Sequence, residues 1–327
     1  MHLDAFDLHQ PTSVEEALAL AQRHAGKFDF LAGGTDLLPN YKMHLNVRPH
    51  LISLDHVAEL RSFRPEAGWL GATVRLRNLE GSSTLRRRYP GIAEAAEEIA
   101  TPLVRASGTV GGNLLVETRC FFFNQSYPWR QALGFCLKAD GDQCHVVPQK
   151  TRCYATFSGD LAPALMVLDA HAEIAGPGGR RRVAVADLYD PKGDGVRRTK
   201  LGPGELLVGV QIPPGAEHLK AKYSKLRVRP SFDFPELGVA VALEEKGGKV
   251  ARLEIALGGL ETYPRLMRAQ TSPLVGERLT EERVKALSED LVKAVRPVHN
   301  TFLAPDYRRK MTGVYVRRAI GALRSGS

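Results

Sequence analysis

The stretch Leu31-Ala32-Gly33-Gly34-Thr35-Asp36-Leu37-Leu38 follows directly on Phe28-Asp29-Phe30, and together they decide how the N-terminal half is read. Phe28–Ala32 has the composition of a strand, and the paired glycines after it allow a tight turn and close approach of the backbone to a ligand. Such a loop turns N–H groups toward an anion, and Thr35 adds a hydroxyl. A second cluster, Gly108-Thr109-Val110-Gly111-Gly112-Asn113-Leu114, repeats the pattern with Thr109 as its hydroxyl donor. One cluster alone reads more readily as a strand-to-helix turn. Neither is a G-x-G-x-x-G fingerprint or a Walker loop, since no Lys-Ser/Thr closes it. Two in one region favour a pyrophosphate-bearing cofactor held at loops and helix starts.

Outward from these loops, short apolar runs alternate with helical ones, as in α/β or α+β architecture. Ser13 with Glu16 three positions on marks a helix over 13–25. Strands are expected at 28–32, 51–54, 69–74, 171–175 and 206–212, and an Ala/Glu-rich helix at 90–100. A buried apolar run covers 161–168. Pro213-Pro214-Gly215 is the best break, which divides the chain into 1–215 and 216–327. The last third reads as strands at 221–228, 237–244 and 250–257, then helices at 280–295 and 305–323.

The chain has 327 residues, 43% of them hydrophobic and 25% charged, which is an ordinary globular composition. No apolar run reaches the ~20 residues a membrane span needs, and the N-terminus has no signal-peptide pattern, so a reducing, cytoplasmic setting is expected. The net charge of +9 favours anionic partners. The basic knots Arg86–Arg88, Arg180–Arg182, Arg197-Arg198 and Arg308–Lys310 lack interleaved aromatic residues, so solvated faces are preferred to a nucleic-acid role.

The segment 118–156 reads as an insertion with few helix or strand signals, and it holds all four cysteines. Cys120, Cys136, Cys144 and Cys153 are separated by 15, 7 and 8 residues. In a reducing compartment this favours one four-thiolate metal site over two disulfides. Zinc sites of this kind usually show C-x₂₋₄-C knuckles, which are missing, whereas a [4Fe–4S] cubane accepts wide spacings. His145 is read as a loop histidine. Four buried free thiols are the alternative.

Leu31–Leu38, Thr109–Asn113, Asp160-x-x-Pro163-Ala164-Leu165, Ala256-Leu257-Gly258-Gly259 and Tyr307–Met311 with Arg317-Arg318-Ala319 occur in this order along nearly the whole chain. The sequence thereby resembles the FAD-binding subunits of molybdenum hydroxylases, the family of xanthine dehydrogenases and aerobic carbon monoxide dehydrogenases. The resemblance implies an α+β fold: a two-subdomain FAD-binding domain of the vanillyl-alcohol-oxidase type, then a smaller α+β domain like that ending carbon monoxide dehydrogenase flavoproteins. It implies that Leu31, Ala32, Gly33, Gly34, Thr35, Asp36, Leu37 and Leu38 surround the FAD pyrophosphate. Thr109, Val110, Gly111, Gly112 and Asn113 would lie on the cofactor's other side, with Asp160, Leu206, Lys225 and Thr73 as further contacts. A lysine beside the flavin would stabilise the negative charge that develops on reduction.

Asn113 and Asp160 are 47 positions apart, where ordinary subunits of the family make only a short hop. An insertion rooted between two flavin-contacting loops must emerge near the flavin, where a redox cluster has a purpose that zinc lacks. The runs Thr118-Arg119-Cys120, Phe123–Ser126, Cys136-Leu137-Lys138, Asp142-x-Cys144-His145-Val146, Arg152–Thr156 and Gly159–Ala170 are similar to the β subunits of the 4-hydroxybenzoyl-CoA reductase branch. That resemblance implies electron transfer rather than catalytic residues on this chain. It also implies a molybdopterin-binding large subunit and a [2Fe–2S] small subunit in a dimer of heterotrimers. A reduced, acidic ferredoxin would be the donor, docking over Arg119, Arg130, Lys138, Lys150 and Arg152. A flavin subunit of another molybdenum hydroxylase is the second reading, and a zinc-stabilised, non-enzymatic interaction module the third.

Overall fold

A computed structural model describes residues 3–148 and 151–325. Three sheets organise them. The first is a small parallel sheet in the order β1 (Asp7–His9), β3 (His50–Ser53), β2 (Phe28–Leu31). Helix Val14–Arg23 covers one face of it, burying Val14, Ala17 and Ala21 at helical spacing, and Ser13 caps it by accepting from the Glu16 N–H at 3.1 Å.

The second sheet is antiparallel, in the order β4 (Phe63–Arg64), β5 (Trp69–Gly71), β8 (Leu206–Gln211), β6 (His171–Gly176), β7 (Gly179–Ala184). Trp69, Leu206 and Val208 share a core with Ile52 and the Val14–Arg23 helix, which joins the first two sheets. The third sheet is antiparallel, β12 (Arg265–Leu266), β11 (Lys249–Gly258), β10 (Leu237–Lys246), β9 (Lys220–Leu226). Its two faces differ in side-chain size. Ala240, Ala242, Ala256 and Tyr223 pack into the core of the N-terminal part. Val239, Val241, Leu243, Ile255 and Leu257 pack under helices Glu281–Ala294 and Pro305–Ser325. Period-two alternation of small and branched residues thus lets one sheet join two cores.

Several expectations are adjusted. The 90–100 helix stops at Glu97, since Ala100 takes φ +45° and Thr101 then caps a new helix, Pro102–Ser107. The 69–74 strand ends at Gly71, because Val74 N–H turns back to the Gly71 carbonyl and the Ala72 carbonyl accepts from Gly111. Arg180–Arg182 lie in β7, a strand missed behind its charges, where Arg180 pairs with Glu59 and Glu173 and Arg181 with Glu205. Arg308 is no surface residue: it is fully buried and donates to the carbonyls of Glu236, Val298 and Gly259.

Candidate functional site

A cavity of about 1000 Å³ opens where the first sheet, the second sheet and β9 meet. The loop leaving β2 forms one wall, contributing Ala32, Gly33, Gly34, Thr35, Asp36 and Leu37. Thr109, Gly111, Gly112 and Asn113 form the facing wall, and Thr73, Asp160, Leu206 and Lys225 line it as well. Leu31, Leu38 and Val110 stand behind it. Val110 is fully buried in the core, and the δ-carbons of Leu38 and Leu31 would crowd any side chain at Gly34.

The glycines have separate reasons. Gly34 has φ +70°, a left-handed conformation that costs other residues ~1–2 kcal/mol. Gly33 needs no such angle, but a β-carbon there would collide with the Ser107 carbonyl, so the two loops touch through backbone. Thr109 caps the short helix Val110–Leu114 by accepting from Gly112 N–H at 3.0 Å. Arg105, beneath this wall, is clamped by both oxygens of Glu80 at 2.8 Å and donates to the Ile99 carbonyl.

Lys225 lies in the cavity wall, not on an outer strand face. Its Nζ is 3.1 Å from Asp160 Oδ2 and donates to the Glu98 carbonyl at 2.8 Å. Tyr223 donates to Asp160 Oδ1 at 2.6 Å. Burial pushes the Asp160 carboxyl up, while Lys225 and Tyr223 oppose that. Burial, with Asp160 beside it, also raises the Tyr223 hydroxyl well above its usual range.

The insertion closes at its base, where Arg119 and Thr156 exchange backbone hydrogen bonds of 3.0 and 2.7 Å. Its own small core combines Cys120, Cys153, Phe123, Ala139 and Ala155 with Leu45. All four cysteines are buried and unbridged, and all four line one small pocket together with His145. Cys120 lines both this pocket and the large cavity. Backbone N–H groups of Phe123 and Ala155 donate to the sulfurs of Cys120 and Cys153 at 3.4 Å. Burial pushes the Cys120 thiol up to about 11 and the Cys153 thiol to about 12, so thiolate there needs a cation. A tetrahedral zinc holds its sulfurs ~3.8 Å apart, from Zn–S bonds of ~2.3 Å. Among the described residues no three of these sulfurs lie within 4.8 Å of one another.

The basic residues of the insertion do not form the expected docking patch. Lys138 is buried against Glu117 at 2.6 Å, the Thr118 hydroxyl at 2.7 Å and the Gly195 carbonyl at 2.7 Å. Arg119 is buried against Asp36 and Asn40, and Arg130 against the Met43 carbonyl. These charges satisfy buried acceptors. Of the remaining two, Arg152 is exposed and Lys150 lies outside the described residues. Burial alone would raise Glu117, but Arg198 and Lys138 on either side hold it below the usual carboxylate range.

The sequence reading missed the rim of the cavity. Phe232, Phe234 and Phe302 are exposed there, beside Arg198 and Arg229. Pro230 and Pro235 flank the two phenylalanines of the first loop, and apolar residues inside so strong a loop signal are the sign that was available.

The FAD binding domain profile of molybdopterin dehydrogenases matches residues 4–215, and that of the CO dehydrogenase flavoprotein C-terminal domain matches residues 221–323. The chain belongs to the FAD-binding subunits of the molybdenum hydroxylases. Within that family it is 29% identical to the carbon monoxide dehydrogenase medium chain of Hydrogenophaga pseudoflava over 320 residues, 97% of this chain and 96% of the other. It is 32% identical to the aldehyde oxidoreductase FAD-binding subunit PaoB of Escherichia coli over 312 residues, 92% and 94% of the two chains. The crystal structure of a Cu,Mo-CO dehydrogenase superposes with a TM-score of 0.81 at 28% identity, covering 100% of both chains.

As a molybdenum hydroxylase flavin subunit the chain is part of an oxidoreductase, with the expected α+β fold. No helix among the described residues is long and apolar enough to cross a membrane. The cavity fits FAD on its own terms. Its volume is at the top of the ~300–1,000 Å³ range of ligand sites. The buried Thr73 Oγ1 on its wall has no hydrogen-bond partner.

Proposed function

We propose that this subunit holds FAD in the large cavity and a [4Fe–4S] cluster on Cys120, Cys136, Cys144 and Cys153, and serves electron entry into a molybdenum enzyme. The observation that carries the reading is Cys120, which lines both the four-cysteine pocket and the flavin cavity. When bound, FAD exchanges electrons singly or in pairs and an iron–sulfur cluster exchanges them singly.

The chain's own groups hold and tune these cofactors. The Gly33–Thr35 loop offers backbone N–H groups to the pyrophosphate, whereas those of Val110, Gly111 and Gly112 are held by Val74, Ala72 and Thr109, so the second loop contributes its shape and its close approach. Thr73 Oγ1 supplies an unused polar atom, and Lys225, fixed by Asp160 and the Glu98 carbonyl, places a cation in the wall. Phe123, Leu45 and Ala155 keep water from the cysteines.

The complex, on this reading, joins the chain to a molybdopterin-binding large subunit and a [2Fe–2S] small subunit in a cytoplasmic dimer of heterotrimers. It removes the phenolic hydroxyl of 4-hydroxybenzoyl-CoA as water, with electrons from reduced ferredoxin. The resemblance read in the sequence from Thr118 to Ala170 supports this substrate. A second reading, a hydroxylase working oxidatively on another aromatic or heterocyclic substrate, is favoured by the relatives' names, among them a nicotine 6-hydroxylase medium subunit at 25% identity. Anaerobic reoxidation of the dithionite-reduced complex separates them. Rapid reoxidation by 4-hydroxybenzoyl-CoA with formation of benzoyl-CoA is expected. Inertness toward it, with reduction of the oxidised complex by an aldehyde or N-heterocycle, establishes the second reading.

A further inference from the structure

Three histidines far apart in sequence meet outside the flavin cavity. His9 ends β1, His50 opens β3, and His24 is the C-cap of helix Val14–Arg23. Parallel pairing sets Asp7 opposite His50, so period-two alternation puts Asp7, His9 and His50 on one face of the sheet. That face is the one the helix covers, since Ile52, two residues after His50, packs with Val14 and Ala17. The helix ends at Arg23, and His24 closes over the uncovered end.

Each imidazole presents one nitrogen, and the three nitrogens lie within 4.8 Å of one another. His9 Nε2 is 3.5 Å from His50 Nδ1, and Asp7 Oδ2 is 3.2 Å from the same nitrogen. A tetrahedral ion with bonds of ~2.0–2.1 Å has ligand–ligand edges of ~3.3 Å, so the His9–His50 separation is close to that of adjacent ligands. None of the three histidines lines the flavin cavity. His50 lies at the amino end of its strand, whereas the cavity loop leaves the carboxyl end of β2.

We propose that His9, His24 and His50 bind one divalent transition-metal ion of the zinc class, with water in the fourth position. Three imidazole nitrogens and one water form a donor set suited to zinc. The ion has a structural purpose. β1 has three residues and β3 four, shorter than the usual strand of ~5–6 residues, so few ladder hydrogen bonds hold their ends. A cross-link from β1 to β3 and the helix end fastens them.

The test uses the full chain, chelator-treated and titrated with zinc alone by calorimetry, beside His24→Gln and His50→Gln. Both positions are partly exposed, so these variants are expected to fold. The expected result is one zinc equivalent in the unaltered chain that is lost or weakened roughly 100-fold or more in each variant. That exceeds the ~10–100-fold cost of outer-shell changes. Zinc should also raise the unfolding temperature of the unaltered chain only, with FAD content equal in all three. Two results overturn the proposal: no zinc bound more tightly than millimolar, or the same stoichiometry and affinity in both variants. Zinc taken up by the cysteines does not confuse the outcome, because only the equivalent lost with the histidines counts.

Discussion

Lys225 Nζ lies 3.1 Å from Asp160 Oδ2 with their side chains only 1% and 3% exposed, so a fully desolvated ion pair forms part of the flavin cavity wall. The two residues stand on different parts of the chain, β9 and the start of helix Leu161–Met166, and the pair ties the C-terminal sheet to the FAD domain. Removing one member strands the other in low dielectric, at a cost of ~3–5 kcal/mol. Lys225→Met and Asp160→Asn should each lower the unfolding midpoint strongly. The double variant should lose much less than the sum of the two. Additive losses in a thermal or urea double-mutant cycle would show that the pair is not coupled.

The glycine loop offers two substitutions with different physical causes. Gly34→Val places a branched side chain at φ +70° and against Leu38 and Leu31. Gly33→Ala keeps an ordinary backbone angle but drives a methyl group into the Ser107 carbonyl, prising apart the two cavity walls. Both should be isolated with little or no FAD. Full flavin stoichiometry in either, measured by absorbance after denaturation, would mean that the loop is only a turn.

Glu80 holds Arg105 with two bonds of 2.8 Å, and hydrogen bonding from that guanidinium keeps its carboxyl below the usual carboxylate range. A carboxyl depressed by folding stabilises the native state above its unfolded value, near 4.5, and that contribution fades as pH falls through the lower folded value. Glu80→Gln should therefore destabilise the chain at neutral pH and flatten the decline of stability below pH ~4.5. Parallel stability–pH curves for the two proteins would contradict this role.

The fold was largely legible because its strands are long in period-two pattern, as in β10, or bounded by glycine, as in β2. The strand β7 was not, because Arg180 and Arg181 find their carboxylates on distant segments, and a charge run by itself reads as solvated surface. The same limit governs the insertion. Lys138 and Arg119 look like a docking patch in sequence, yet Glu117 and Asp36 draw them inward. Reversing Lys138 to Glu would thus bury two like charges rather than edit a surface. The two glycine loops and the four cysteines were visible as clusters. The histidine triad was not, because three single histidines spread over 42 residues carry no local spacing signal.

Iron, acid-labile sulfide and FAD counted together in anaerobically purified protein test the central claim most directly. The predicted result is about four irons and four sulfides per FAD, with iron falling sharply in each of Cys120→Ser, Cys136→Ser, Cys144→Ser and Cys153→Ser while FAD remains. Flavin-replete protein with iron at background, or with iron unchanged in all four serine variants, would contradict it.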